Sequence, residues 1–169
     1  MVDSPLSLLT WELESLGPPH ASIFGSAFGN SGFLPARTIL HTRIPMHSVD
    51  CSRCIDPYES VMHALVLCPF ASRVWFLSSL CVNIQVFQNK SFIDWLNFWL
   101  TDPVTKLPDE DQCLFVAVLW STWSSRNNLV FQNLKETHLA VLARARAMLL
   151  TRKSCLIVSP TTPVSLCDK

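Results

Sequence analysis

The sequence predicts a mainly α-helical chain in which a small metal-stapled helical lobe is followed by a helical extension. Three observations carry that expectation. Apolar residues recur at three- and four-residue intervals in several segments, prolines and acids stand where those segments should start and stop, and a compact cysteine/histidine cluster offers a staple. With 49% hydrophobic and 15% charged residues the chain lies on the folded side of the disorder boundary. Trp75, Trp95, Trp99, Trp120 and Trp123 all follow the cysteine cluster, so the later half is expected to be packed.

Residues 1–32 are the least legible, with Pro18-Pro19 and the glycines Gly17, Gly25, Gly29 and Gly32, and read as a poorly ordered remnant. Pro35-Ala36-Arg37-Thr38-Ile39-Leu40 reads as a helical turn opened by proline and stopped by Pro45. Tyr58 to Leu67 places Val61, Met62, Leu65 and Val66 on one helical face. Pro69 ends that helix and opens the next, expected to run to Leu80 with Phe70, Val74, Trp75 and Leu77 buried. Phe92, Trp95, Leu96 and Trp99 mark a third amphipathic helix that Asp102-Pro103 breaks.

Leu107-Pro108-Asp109-Glu110-Asp111 sets a proline and three acids where a helix dipole favours negative charge, which starts a long helix to about Phe131. Thr137 is placed to cap a last helix through Leu150, with Leu139, Leu142 and Leu149 inward. The expected organisation is therefore a zinc-binding lobe over 33–80, a helical region over 81–150 and a flexible tail over 151–169.

The zinc assignment comes from the spacing Cys51-x2-Cys54-x8-His63-x4-Cys68. Three thiolates and one imidazole are a tetrahedral zinc set. On an unbroken α-helix, residues five apart point about 140° away from each other, which would keep His63 and Cys68 from one ion. Pro69 removes the obstacle by disfavouring helical geometry at Cys68, and the following helix start favours a thiolate there. Such a site carries a net charge of about −1, which Arg53 and Arg73 lie near enough in sequence to offset. With four protein ligands the Zn²⁺ is structural and leaves no open position for water. Cys81, Cys113, Cys155 and Cys167 are expected to be ordinary core or surface thiols.

Leu34-Pro35-Ala36-Arg37, Cys51-Ser52-Arg53-Cys54, Glu59-Ser60, His63, Cys68-Pro69-Phe70-Ala71 and Val74-Trp75 together resemble the zinc-binding domain that follows the polymerase in plant non-LTR (LINE-type) retrotransposon reverse transcriptases. Trp120-Ser121-Thr122-Trp123-Ser124-Ser125-Arg126-Asn127-Asn128-Leu129-Val130-Phe131 resembles the helix that links this domain to a ribonuclease H domain in the same polyproteins. The two matches stand in the same order and cover roughly 33–150. The resemblance implies that Cys51, Cys54, His63 and Cys68 are the zinc ligands and that the module assists nucleic-acid binding. Ile23 to Phe33 departs from the family, offering a glycine-broken stretch where a lysine- and tryptophan-containing helix is usual. Lacking polymerase and ribonuclease H motifs, the sequence reads as a fragment of such an element.

No catalytic centre is expected. Polymerase and ribonuclease H chemistry both need converging carboxylates that hold two metals, and Asp109, Glu110 and Asp111 are better explained as helix-start acids. A nucleophilic Cys51/His63 pair would have to be open and free of metal. Zero formal net charge argues against a stand-alone polyanion binder, yet Arg37, Arg43, Arg53 and Arg73 make contacts to RNA or single-stranded DNA physically feasible. The alternative is a structural or protein-interaction helical fragment with no nucleic-acid role, either partnered by other polypeptides of a retroelement or left over from a decayed element. The first residues lack the basic region of a signal peptide, and the longest apolar run, Cys113 to Trp120, falls short of the ~20 residues that span a bilayer. The expected setting is intracellular, nucleus or cytoplasm, with no membrane partner and no small-molecule substrate.

Overall fold

A computed structural model describes residues 36–42, 45, 48–80 and 82–157. These residues are mainly helical and include no strand. The elements are α1 (Arg37–His41), a π-helical turn (His63–Leu67), α2 (Pro69–Leu77), a 3₁₀ turn (Gln85–Phe87), α3 (Phe92–Leu100), α4 (Asp109–Gln132) and α5 (His138–Ile157). The expectations for residues 1–32, Pro35, Arg43, Cys81, Cys167 and the tail beyond 157 lie outside the described residues. No helix among them is long and apolar enough to cross a membrane.

Local chemistry sets several boundaries. α3 opens on a reciprocal cap: the Asp94 N–H donates to Ser91 Oγ at 3.1 Å and the Ser91 N–H donates back to the Asp94 carboxylate at 3.2 Å. α4 starts behind Pro108 and ends where Asn133 takes the left-handed conformation, φ 53°, a position Asn tolerates better than most residues. Thr137 accepts from the Ala140 N–H at 3.2 Å, as expected of its cap, and α5 then runs past the expected Leu150 to Ile157. Five residues separate α4 from α5, and a connection that short makes them antiparallel neighbours. Arg144 Nη1 donates to the Ser121 carbonyl at 3.3 Å, and Ser121 Oγ faces Met148 Sδ at 3.9 Å, which fixes the antiparallel register.

One apolar core joins α2, α3, α4, α5 and the π turn. At its centre Trp75, Trp95 and Phe115 converge from α2, α3 and α4, with ring centroids 4.8–5.2 Å apart in edge-on and tilted contacts. The Trp75 indole N–H donates to the Leu65 carbonyl at 2.8 Å and so ties α2 to the π turn.

Three sequence expectations shift. The helix expected from Tyr58 begins at Val61 and widens into the π turn at His63. α2 ends at Leu77 instead of Leu80, because Ser78 turns the chain and its hydroxyl bonds the Trp75 carbonyl at 2.6 Å; Leu77 is left 37% exposed. On α5 the inward face is Val141, Leu142 and Ala145, with Leu149 partly buried and Leu139 70% exposed. Leu139 lies off the face that carries Val141, Leu142 and Ala145.

Candidate metal centre

Two short elements bring the four candidate ligands together. In the first, the Ile55 N–H donates to the Cys51 carbonyl at 3.0 Å and the Cys51 N–H to the Asp56 carbonyl at 2.8 Å, closing a tight turn. Ile55 adopts φ 57°, a left-handed conformation that is costly for a β-branched side chain. The turn thereby sets Cys51 and Cys54 on one side and leaves Ile55 90% exposed.

The second element is the π turn. Its i→i+5 bond runs from the Cys68 N–H to the His63 carbonyl at 2.7 Å. A turn closed over five residues brings His63 and Cys68 to one side of the chain, where an α-helix would splay them. Cys68 itself leaves helical geometry, φ −52° and ψ 134°, as the following proline requires. Sequence reasoning identified the proline but not the widened turn, and a π turn has no composition signal of its own.

The donor atoms of Cys51, Cys54, His63 and Cys68 all lie within 4.8 Å of one another. Cys51 Sγ and Cys68 Sγ are 3.9 Å apart, and Cys54 Sγ lies 3.1 Å from His63 Nε2. A tetrahedral ion with ~2.3 Å bonds to sulfur sets its sulfurs about 3.8 Å apart, so the cluster fits such an ion. Cys51 and Cys68 are buried, Cys54 and His63 partly so.

The backbone around the sulfurs is arranged for negative charge. Cys51 Sγ accepts from the N–H groups of Arg53 and Cys54, Cys54 Sγ from that of Asp56, and Cys68 Sγ from that of Phe70 in the first turn of α2. Without a cation, however, sulfurs this close cannot all ionise. The hydrogen bond between Cys51 and Cys68, with the backbone N–H groups, holds Cys51 down at about 4 against the opposing effect of burial. Cys68 is pushed up by that same bond, by burial and by the Cys51 charge, and Cys54 is pushed up first by its own burial. A dication among the sulfurs removes the conflict.

The surroundings contain groups to which the sequence assigned no role. Asp56 Oδ2 lies 3.9 Å from His63 Nδ1, on the far side of the ring from the sulfurs, where a carboxylate orients a ligating imidazole. Glu59 and Arg126 form an ion pair that is 1% exposed on both sides. Glu59 Oε1 also accepts the Arg37 N–H at 3.1 Å, and the Glu59 carbonyl accepts the Thr38 hydroxyl at 2.9 Å. The pair therefore fastens α1 and the loop before the π turn to α4. Its partners are 67 residues apart, so local pattern could not expose it.

The candidate arginines have different placements. Arg53 Nη2 donates to Ser125 Oγ at 2.8 Å, and its guanidinium lies 3.6 Å from the centroid of Phe70. It is partly buried beside Cys51 and Cys68, with its pKa lowered first by burial while the charges of both sulfurs act in its favour. Arg37 is half-buried and donates from Nη1 to the Asp50 carbonyl at 3.1 Å. Arg73 is exposed on α2, and Arg43 lies outside the described residues.

Comparison with known families, curated proteins and solved structures gives no match for this chain.

Proposed function

We propose that Cys51, Cys54, His63 and Cys68 hold one structural Zn²⁺ and that the module assists nucleic-acid binding in a protein derived from a LINE-type retrotransposon. The observation that carries the metal reading is the convergence of four donor atoms within 4.8 Å. Three sulfurs and an imidazole select zinc over calcium or magnesium, which prefer oxygen. With all four positions taken by protein, the ion's contribution is to hold the loop on α2, and no catalytic role follows.

The nucleic-acid role is supported by the resemblance of the sequence motifs and by exposed Arg73 and partly buried Arg53. Both parts are tested on the purified chain. Metal analysis should return one zinc per chain and none for Cys68→Ser; an equally loaded variant would remove Cys68 from the site. Affinity for single-stranded RNA should fall steeply as salt rises, and a flat titration would remove the nucleic-acid role.

A second reading has its own observation. Phe131 at 67%, Leu134 at 50% and Leu139 at 70% exposure cluster in sequence about the α4–α5 turn, as expected of a protein-docking fragment. Self-association seen by light scattering, lost on Phe131→Glu, would favour it.

A further inference from the structure

A second feature stands beside the metal cluster. Phe70 in α2 carries the Arg53 guanidinium at 3.6 Å and stacks with the His138 ring at 4.4 Å, with the two ring planes 25° apart. Arg53 and Phe70 also line a cavity of about 220 Å³, together with Ser52, Leu129, Lys135 and Glu136. The cavity therefore joins the metal turn to the α4–α5 connection. It is built from flat cationic and aromatic groups with one aliphatic wall.

The charges around it are mostly positive. Lys135 is exposed, as is Arg73 on α2; burial first, and then the charges of Arg73 and Arg53, hold the His138 imidazole below its ordinary value. Among the described residues neither Lys135 nor Arg73 has a salt-bridge partner, whereas Glu136 is paired with Arg144. Arg53 is anchored through Ser125, so its plane is held in place without a ligand.

At about 220 Å³ the space is smaller than the ~300–1,000 Å³ of ordinary small-molecule sites. It suits one planar heterocycle, with any attached sugar and phosphate left outside. A bare anion fits poorly, because an acidic residue, Glu136, is among the residues lining the space. A base fits better: a guanidinium plane is a stacking partner for any base, and the lysine at the rim is placed for the phosphate.

We infer, on the nucleic-acid reading above, that the cavity between the metal turn and the α4–α5 connection takes one unstacked base of a single strand, with its phosphodiester on Lys135. Stacking and one ionic contact make this a sequence-tolerant site whose affinity depends on salt.

The test is fluorescence anisotropy of a labelled single-stranded RNA oligonucleotide with the zinc-loaded full chain at low salt. Lys135→Glu alters the rim, Leu129→Phe fills the cavity, and Lys90→Glu reverses an exposed charge in the α3 approach as a control. Circular dichroism and zinc content confirm that each variant is folded. Loss of about tenfold or more for the first two, with Lys90→Glu near wild type, is the expected result. If RNA binds and the cavity variants match Lys90→Glu, the cavity assignment is wrong while nucleic-acid binding stands. If the wild type binds no RNA at all, both fail. A free nucleoside monophosphate that displaces the oligonucleotide at equal nucleotide concentration would overturn the assignment to a strand and give the site to the mononucleotide.

Discussion

The lobe around the candidate metal site and the body formed by α2 to α5 are held by different forces. The body buries a continuous set of apolar side chains that includes Trp75, Trp95, Phe115, Leu119 and Leu142. Among the described residues the lobe's own buried cluster is Cys51, Cys68 and Ala71, with Cys54 and Phe70 packed at its edge. At ~25 cal/mol per Å² of apolar area, so small a cluster cannot hold a loop against its chain entropy. What remains for the lobe is polar: a cluster able to hold a metal ion, the Glu59–Arg126 pair and the Arg53–Ser125 bond. The body therefore rests on summed apolar burial, and the lobe on a few directional contacts.

Removing the metal gives the largest separation between the two regions. Structural zinc in finger peptides binds with roughly 10–16 kcal/mol, which in such modules is folding energy. Chelation of the loaded chain should sharply lower hydrogen-exchange protection over 48–60, where only the Glu59–Arg126 and Arg53–Ser125 ties then remain, and leave α4 and α5 protected. Simultaneous loss in both regions would break the comparison and show one cooperative unit.

Breaking the buried pair comes next. Arg126→Met leaves Glu59 charged and unpaired, and should destabilise the chain by about 3–5 kcal/mol. Adding Glu59→Gln should recover part of that loss, because the stranded charge is gone. An additive double mutant, measured by urea denaturation, would show that the two side chains do not interact. In the body, Trp75→Ala should cost a similar ~3–5 kcal/mol and also strand the Leu65 carbonyl.

The metal site should also titrate. In the metal-free lobe the depressed Cys51 contributes stability that is complete only above the ordinary thiol range and is lost as pH falls through about 4. The raised Cys54 and Cys68 act in the opposite sense: they stay protonated after the unfolded chain has lost its protons, so their effect is destabilising as pH rises past the ordinary thiol range. Metal binding at neutral pH must displace those last protons, about two per ion, so affinity should fall by about two decades for each pH unit downward. Calorimetry in buffers of different ionisation enthalpy counts the protons; none released would contradict the assignment. The smallest effect is the α3 cap, where Ser91→Ala should cost about 1 kcal/mol and leave metal binding untouched.

The sequence disclosed what is local in each region. Pro69, the two-residue spacing of Cys51 and Cys54, the acids after Pro108 and the Thr137 cap each act within a few residues, and the helix starts at Pro69, Asp109 and His138 follow them. It also placed the four donor residues in one cluster, since proline sets the backbone at Cys68 without outside help. The remainder was hidden for physical reasons. The π turn depends on one extra residue in a helical ring, and Glu59–Arg126 and Arg53–Ser125 bridge segments that only the tertiary fold brings together. Leu77 and Leu139 were assigned inward by periodicity, but Leu77 sits at the end of α2 and Leu139 lies off the face that carries Val141, Leu142 and Ala145.

X-ray absorption at the zinc edge on the purified chain tests the ligand set most directly. Three sulfurs at ~2.3 Å and one nitrogen at ~2.0–2.1 Å are predicted, with one ion per chain. A first shell of oxygen and nitrogen without sulfur, or a chain that retains no zinc, would contradict it.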